Sequence, residues 1–156
     1  MRPCFTDFDG VCNSDRFDAA QHIRPVAWLT MSSAAQDRSR FDPLAIARLN
    51  RITALRGVVI VVSSTWREHR TFAELRAILR DVGVTAPVVS TTPVLAGRAR
   101  GDEIRAWLRD HPRVRRYVVL DDRGDMHAVR RHLVQTDARV GLTDADVARA
   151  LAILRG

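Results

Sequence analysis

Lysine is absent from this chain of 156 residues, so arginine supplies all 25 of its basic side chains. With 18 acidic residues the formal net charge is +7. Guanidinium groups match phosphate oxygens through paired N–H donors, and a basic surface favours polyanionic partners such as nucleic acid. Because the arginines are spread along the chain, and because genomic base composition also explains a missing lysine, charge alone does not decide the function.

Cysteine and long apolar runs are also scarce. Cys4 and Cys12 are too few for a disulfide framework, and free thiols fit a reducing cytoplasm. No stretch of 18 or more apolar residues occurs, which argues against a membrane span. Asp7 and Asp9 precede any long apolar segment, so no signal peptide is expected. We therefore expect a cytoplasmic protein with one domain over residues 1–156.

Strand and helix patterns alternate along the chain. Val58 to Ser64 is a β-branched run without polar alternation, which is typical of a strand buried on both faces. The other strand candidates are Cys4 to Asp7 and the segments PVVS, RYVVLDD and HLVQTD. Helical patterns occur in the segments FDPLAIARLNRITAL, TFAELRAILRDVG, GDEIRAWLRDH and TDADVARALAIL. This alternation predicts an α/β domain, with a central parallel sheet covered by helices on both faces.

Capping signals mark three of these helices. Asp42 is a candidate N-cap, with Pro43 at the first helical position. Capping-box spacing occurs at Thr71 with Glu74 and at Thr143 with Asp146. Residues 13–40 are largely polar, and we expect them to be irregular.

Polar side chains follow four of the predicted strands, at the edge where a parallel sheet places its binding site. Carboxylates are the hard oxygen ligands that Mg²⁺ prefers, while hydroxyl and guanidinium groups can donate to a phosphate. In strand order the candidates are Asp7 and Asp9; Ser63, Ser64 and Arg67; Arg98 and Arg100; and Asp121, Asp122 and Asp125. For Asp125 a helix N-cap is an equal interpretation.

The segment DFDG places two carboxylates one residue apart. Alternate residues of a strand face the same way, so Asp7 and Asp9 can share a side while Phe8 enters the core. Gly10 permits a sharp turn. One carboxylate can attack phosphorus while the other handles the proton of the leaving group, and Mg²⁺ would neutralise the charge and orient the phosphate. The pattern therefore favours phosphoryl transfer.

Four motifs in chain order, DFDGV, VVSST, GRARGDE and VVLDDRGD, resemble those of the haloacid dehalogenase superfamily of phosphohydrolases, and the resemblance spans nearly the whole chain. More narrowly, VVSSTWRE, GDEIRAWL, VVLDDRGDM and LVQTDARVGLTDADV resemble the small domains of this superfamily in bacterial RNA-repair proteins. The run LDDR also resembles the phosphatase half of polynucleotide kinase-phosphatases. The resemblance implies a single Rossmann-like domain of three layers, with Mg²⁺ as its cofactor.

The resemblance also implies roles for individual residues. Asp7 would be the nucleophile and a metal ligand, and Asp9 the general acid and base, with its backbone carbonyl on the metal. Asp121 and Asp122 would supply the remaining metal carboxylate or its water shell. Ser63 would bind the phosphate, with Ser64 as the alternative.

The third motif of the superfamily is usually a lysine, which this chain lacks. The resemblance therefore assigns that role to Arg100 or Arg98, which keep the charge and add a second N–H donor. Arg67 either contacts the phosphate or begins the following helix in solvent. Both interpretations stay open at this point.

The cover of the active site is expected to be small. The superfamily usually inserts a cap after the first or third strand, but residues 13–40 number only 28 and are too few for a cap with its own core. We expect a short flap there and an open site, in which Trp28 or Trp66 can stack on a base.

We therefore expect a Mg²⁺-dependent phosphomonoesterase that works through an aspartyl-phosphate on a nucleic-acid 3′-phosphate end or a nucleotide. The alternatives are a phosphatase of a small phosphometabolite or phosphoprotein, and a non-catalytic module that binds nucleic acid. The sequence suggests no membrane partner, and it leaves open whether a kinase or ligase works beside this domain in repair.

Overall fold

A computed structural model describes residues 1–21 and 32–156. Its strands form one sheet in which every pair of neighbours is parallel. In chain order the strands are β1 (Arg2–Thr6), β2 (Val58–Val62), β3 (Val88–Thr91), β4 (Val118–Asp121) and β5 (Leu133–Gln135). Across the sheet the order is β3-β2-β1-β4-β5. The predicted α/β class with a central parallel sheet is therefore confirmed.

The described helices agree with most of the sequence patterns. They are α1 (Asp15–Gln21), α2 (Ser33–Ser39), α3 (Pro43–Thr53), α4 (Phe72–Asp81), α5 (Arg100–Arg109) and α6 (Asp144–Arg155), with 3₁₀ turns at Thr65–Glu68 and His127–His132. The predicted N-cap and both predicted capping boxes are present. Within the described ranges, no helix is long and apolar enough to cross a membrane.

The expectation that residues 13–40 are irregular is wrong for the two short helices α1 and α2. Ser32 caps α2 by accepting a hydrogen bond from the backbone N–H of Ala35 at 3.3 Å. None of the α2 residues is buried, so this helix has no apolar face whose periodicity would reveal it. Trp28, one of the two tryptophans expected to stack on a base, lies outside the described residues.

Successive residues of β1 pack on opposite faces of the sheet, which gives the three layers. Cys4 belongs to a core on one face that includes Leu49 of α3 and Leu75 of α4. Phe5 belongs to a second core on the other face, where it makes an edge contact with Trp107 of α5 at 5.2 Å between ring centroids. Both faces are thus covered by helices, as predicted for a buried parallel sheet.

Hydrogen bonds continue past the ends of the strands and align the residues that follow them. The N–H of Asp7 donates to the carbonyl oxygen of Leu120 at 3.0 Å, and the N–H of Ser63 donates to that of Thr6 at 2.9 Å. The N–H of Thr92 similarly donates to Val62 at 2.9 Å. The first residues beyond β1, β2 and β3 therefore meet at one edge, the carboxyl edge of the sheet, next to the end of β4.

Candidate active site

The chain turns sharply after β1, and this turn carries the first pair of carboxylates. β1 ends at Thr6, one residue earlier than expected, so Asp7 and Asp9 both lie in the turn and take different partners. Asp7 is 4% exposed, and its Oδ1 accepts a hydrogen bond from the N–H of Phe8 at 2.7 Å. Phe8 is fully buried, as predicted, and its ring makes an edge contact with Trp66, at 5.5 Å between ring centroids.

Three side chains hold the carboxylate of Asp9. Asn13 Nδ2 donates to Asp9 Oδ1 at 2.8 Å, and Trp66 Nε1 donates to Asp9 Oδ2 at 3.0 Å. Arg40 Nη2 adds a contact to Oδ1 at 3.3 Å. Asn13 also accepts a hydrogen bond from the N–H of Gly10 at 2.8 Å. Each oxygen of this half-exposed carboxylate therefore has a donor that fixes its orientation.

Gly10 is required where the first turn meets the end of β4. Its φ is +72°, and a Cβ atom there would lie 2.7 Å from Cγ of Asp122. Thr136 donates from its hydroxyl to the carbonyl of Gly10 at 2.7 Å. A side chain at position 10 would both strain the backbone and displace Asp122.

Three carboxylates gather where β1 and β4 end. Asp7, Asp121 and Asp122 each offer an oxygen within 4.8 Å of the other two. Burial raises the pKa of Asp121 to about 7, and the nearby charge of Asp7 adds to this effect. Burial likewise raises the pKa of Asp7 and of Asp122. Such a cluster is unfavourable without a positive charge in contact with it.

Arg100 supplies a buried positive charge next to this cluster. Its side chain is 3% exposed, with Nη2 at 3.7 Å from Asp7 Oδ2 and Nη1 at 4.0 Å from Asp121 Oδ2. These distances are too long for hydrogen bonds. Arg98, the other candidate from the third motif, is exposed. Of the two arginines, the structure brings Arg100 to the carboxylates.

Two buried atoms at this point have no hydrogen-bond partner among the described residues. They are Nη1 of Arg100 and Oδ2 of Asp121. Buried polar groups are normally paired. The unpaired donor of Arg100 suits an anion, and the unpaired acceptor of Asp121 beside it suits a cation. The three carboxylates offer the hard oxygens that suit Mg²⁺. The residues present therefore fit a magnesium ion with an anion next to it.

The second motif contributes buried hydroxyl groups. Ser63 and Ser64 are 1% and 0% exposed. The Ser63 hydroxyl accepts a hydrogen bond from Thr92 at 3.5 Å, and the Ser64 hydroxyl accepts one from the N–H of Trp66 at 3.4 Å. Ser64 also helps to lower the pKa of Asp7, against the larger effect of burial. Both serines stay candidates for binding a phosphate.

Arg67 binds other parts of the protein with its guanidinium group. Nε donates to the carbonyl of Thr92 at 3.2 Å, Nη1 donates to the carbonyl of Ser64, and Nη2 pairs with Glu103. The side chain is only 3% exposed. Arg67 therefore connects the end of β2, the end of β3 and the start of α5.

Two acids make positioning contacts that the sequence does not predict, Glu103, which is not among the sequence candidates, and Asp125, for which a helix N-cap is one of the two interpretations. Glu103 is 6% exposed, pairs with Arg67, accepts from the N–H of Leu95 at 3.0 Å and lies 3.8 Å from Nε of Arg100. Asp125 Oδ2 accepts from the backbone N–H of Arg100 at 3.3 Å. Asp125 is thus a cap, but for α5, whose own N-cap residue makes no side-chain cap bond. No local sequence signal points to either contact.

The structure places an aspartate pair after the first strand of a parallel sheet, a hydroxyl after the second and acids after the fourth, which is the order of the motifs compared above with those of haloacid dehalogenase domains. The family model described as the HAD domain in Swiss Army Knife RNA repair proteins matches residues 4–147. The chain belongs to this family of haloacid dehalogenase domains. The resemblance stated from the sequence motifs is therefore confirmed. No curated protein and no solved structure gives a significant match to the chain.

Proposed function

We propose that this domain is a Mg²⁺-dependent phosphomonoesterase that works through an aspartyl-phosphate. The proposal depends mainly on one observation, the buried Asp7 carboxylate beside the orphaned Nη1 of Arg100 and the orphaned Oδ2 of Asp121. In one place these groups offer a nucleophile, a hydrogen-bond donor for the phosphate and a ligand for a cation. Bound by Asp7, Asp121 and Asp122, Mg²⁺ would neutralise charge and orient the phosphate.

In the first step an oxygen of Asp7 attacks phosphorus. A bond forms between that oxygen and phosphorus, the bond between phosphorus and the leaving oxygen breaks, and the leaving oxygen takes a proton from Asp9. Arg100 and the hydroxyl of Ser63 or Ser64 bind the phosphoryl oxygens. Their role is to hold the phosphate in line and to balance its charge.

In the second step water attacks the phosphorus of the aspartyl-phosphate. Asp9 accepts a proton from this water, the bond between phosphorus and the Asp7 oxygen breaks, and inorganic phosphate leaves. The hydrogen bonds from Asn13 and Trp66 keep the Asp9 carboxylate in one orientation for both proton transfers.

For the substrate we propose a nucleic-acid 3′-phosphate end or a nucleotide. The family match to a domain of RNA-repair proteins supports this choice. The net charge of +7 also favours a polyanion.

Phosphate release from a 3′-phosphorylated oligonucleotide, with and without Mg²⁺, tests the proposal. A 5′-phosphorylated oligonucleotide, a mononucleotide and p-nitrophenyl phosphate are compared under the same conditions. We expect Mg²⁺-dependent release that favours the 3′-phosphate and falls by several orders of magnitude in Asp7→Asn. Asp110→Asn removes the same charge from an exposed position and serves as the control.

Three results would contradict parts of the proposal. Full activity of a folded Asp7→Asn variant would refute the aspartyl-phosphate mechanism. Release from the small substrates alone would keep the chemistry and exclude the nucleic-acid substrate. Oligonucleotide binding without release from any substrate would indicate a binding module instead of an enzyme.

A further inference from the structure

A cavity of about 260 Å³ borders the carboxylate of Asp9. It is lined by residues at the end of α2 and by the segment from Thr65 to Arg70 that follows β2. Besides Asp9, the lining side chains include Asp37, Arg40, Trp66, His69 and Arg70. Asp7, Arg100 and Asp121 do not line it, so this cavity is distinct from the place where the phosphate would bind.

The position of Asp9 determines what this cavity can receive. A general acid must lie within hydrogen-bond reach of the oxygen that it protonates. In the proposed reaction that oxygen belongs to the leaving group, so the leaving group lies on the Asp9 side of the phosphate. The volume is slightly below the range of pockets for drug-sized ligands. It can receive one nucleoside at most and is too small for a duplex.

The two arginines of the cavity differ in how firmly they are held. Arg70 forms a paired contact with Asp37 through Nε at 3.0 Å and Nη2 at 2.8 Å. Among the described residues the Arg40 guanidinium donates one hydrogen bond, from Nη2 to Asp9 Oδ1 at 3.3 Å, and both of these side chains are 45% exposed. Such an exposed ion pair is weak. Since a guanidinium has five N–H donors, Arg40 has donors for an anion of the leaving group.

Trp66 adds an aromatic wall beside Arg40. The indole ring is fixed by edge contacts with Phe8 and Phe41 at 5.5 and 5.6 Å, and by its hydrogen bond to Asp9. The guanidinium carbon of Arg40 lies 5.1 Å from the ring centroid, and that of Arg70 lies 5.9 Å from it. Flat groups of this kind stack on nucleobases.

We propose that this cavity binds the nucleoside from which the 3′-phosphate is removed, and that Arg40 binds the 5′-phosphate of the same nucleotide. The inference rests on the proposed function and adds a specificity-determining residue to it. A nucleoside 3′,5′-bisphosphate is the smallest substrate with both features. The same chemistry occurs at a 3′-phosphate end, where the 5′-phosphate is the last phosphodiester.

Substrate preference in the wild type and in Arg40→Gln tests this inference. The substrates are adenosine 3′,5′-bisphosphate, adenosine 3′-monophosphate and p-nitrophenyl phosphate. We expect the wild type to prefer the bisphosphate over the monophosphate by about 10- to 100-fold in kcat/KM, which is the range for a charge-assisted hydrogen bond. Arg40→Gln should remove most of this preference.

The control is Arg109→Gln, which removes the same charge at the far end of α5, about 14 Å along the helix from Arg100. This variant should keep the preference of the wild type. A wild type without preference for the bisphosphate would overturn the inference. So would an Arg40→Gln variant that loses equal activity on all three substrates, because Arg40 would then act only through Asp9.

Two separate measurements, hydrolysis of a small substrate and nucleotide binding, distinguish failure of this inference from failure of the proposed function. Hydrolysis of p-nitrophenyl phosphate that depends on Asp7 and Mg²⁺ tests the proposed function by itself. Calorimetric binding of the two adenosine phosphates to Asp7→Asn, with and without Arg40→Gln, tests the cavity without turnover. Tighter binding of the bisphosphate that Arg40→Gln abolishes supports the cavity, and equal binding of both nucleotides overturns it.

Discussion

Asp121→Asn is expected to stabilise the metal-free protein at neutral and alkaline pH. Asp121 is fully buried beside Asp7, and its Oδ2 has no partner among the described residues. Its Oδ1 accepts a hydrogen bond from the N–H of Arg123 at 2.9 Å, which an asparagine oxygen can also accept. The substitution therefore removes a buried negative charge and keeps the one hydrogen bond of this side chain.

The size of the effect follows from the pKa of Asp121, which is about 7 in the folded protein against an ordinary value of 3.8. Between these values the unfolded chain has lost the proton that the folded protein retains, so the free energy of unfolding falls as the pH rises. From pH 5 to pH 8 the loss approaches about 3 kcal/mol, at ~1.36 kcal/mol per unit over the two units below the folded pKa. The change levels off above pH 7, as ionisation of this group in the folded protein is completed. Asparagine lacks this dependence, so the variant should gain about 3 kcal/mol on the wild type between pH 5 and pH 8.

Urea unfolding at pH 5 and pH 8 in the presence of EDTA measures this difference. Asp110→Asn, an exposed substitution of the same kind, serves as the control. Adding Mg²⁺ should stabilise the wild type more than Asp121→Asn, because the variant has lost a proposed metal ligand. A stability difference between Asp121→Asn and the wild type that is the same at both pH values would refute the reasoning.

Two further predictions concern the supports of Arg100. Glu103→Gln removes the negative charge beside two buried arginines and should lower the free energy of unfolding by about 3 kcal/mol, measured by urea unfolding; an unchanged value would contradict a structural role. Gly101→Ala places a Cβ 2.2 Å from the carbonyl oxygen of Met126 and should cost about 3 kcal/mol. Gly124→Ala, whose nearest contact is 3.5 Å, is the matched control, and equal losses in both variants would refute the packing argument.

The parts of the fold that the sequence predicts are those whose signal is local. The strand at Val58–Val62 follows from a continuous β-branched run, because a strand buried on both faces needs apolar residues at every position. The helix at Phe72–Asp81 follows from a capping box only four residues long. The closeness of Asp7 and Asp121 follows from the topology, because the carboxyl ends of neighbouring parallel strands lie at the same edge of the sheet.

The parts that the sequence does not predict depend on contacts between distant segments. Asp125 caps α5 from the loop after β4, 25 residues away, and no spacing rule relates the two. The polar helix at Ser33–Ser39 buries none of its residues, so apolar periodicity gives no signal for it. The different partners of Asp7 and Asp9 depend on where β1 ends. Because β1 ends at Thr6, one residue before the predicted end, both carboxylates lie in the turn.

Under the proposed assignment Arg100 takes the place of the lysine that the superfamily usually has, and the buried Glu103 explains how this chain accommodates it. An ammonium is a single charged centre, whereas the guanidinium of Arg100 presents Nη1 and Nη2 to two different carboxylates and Nε to a third group. That third group is Glu103, 3.8 Å away, which also pairs with Arg67. Without an acid at that position, two buried guanidinium groups would lie close together with less compensating charge. Arg100 and the glutamate one helical turn after it therefore act as one unit.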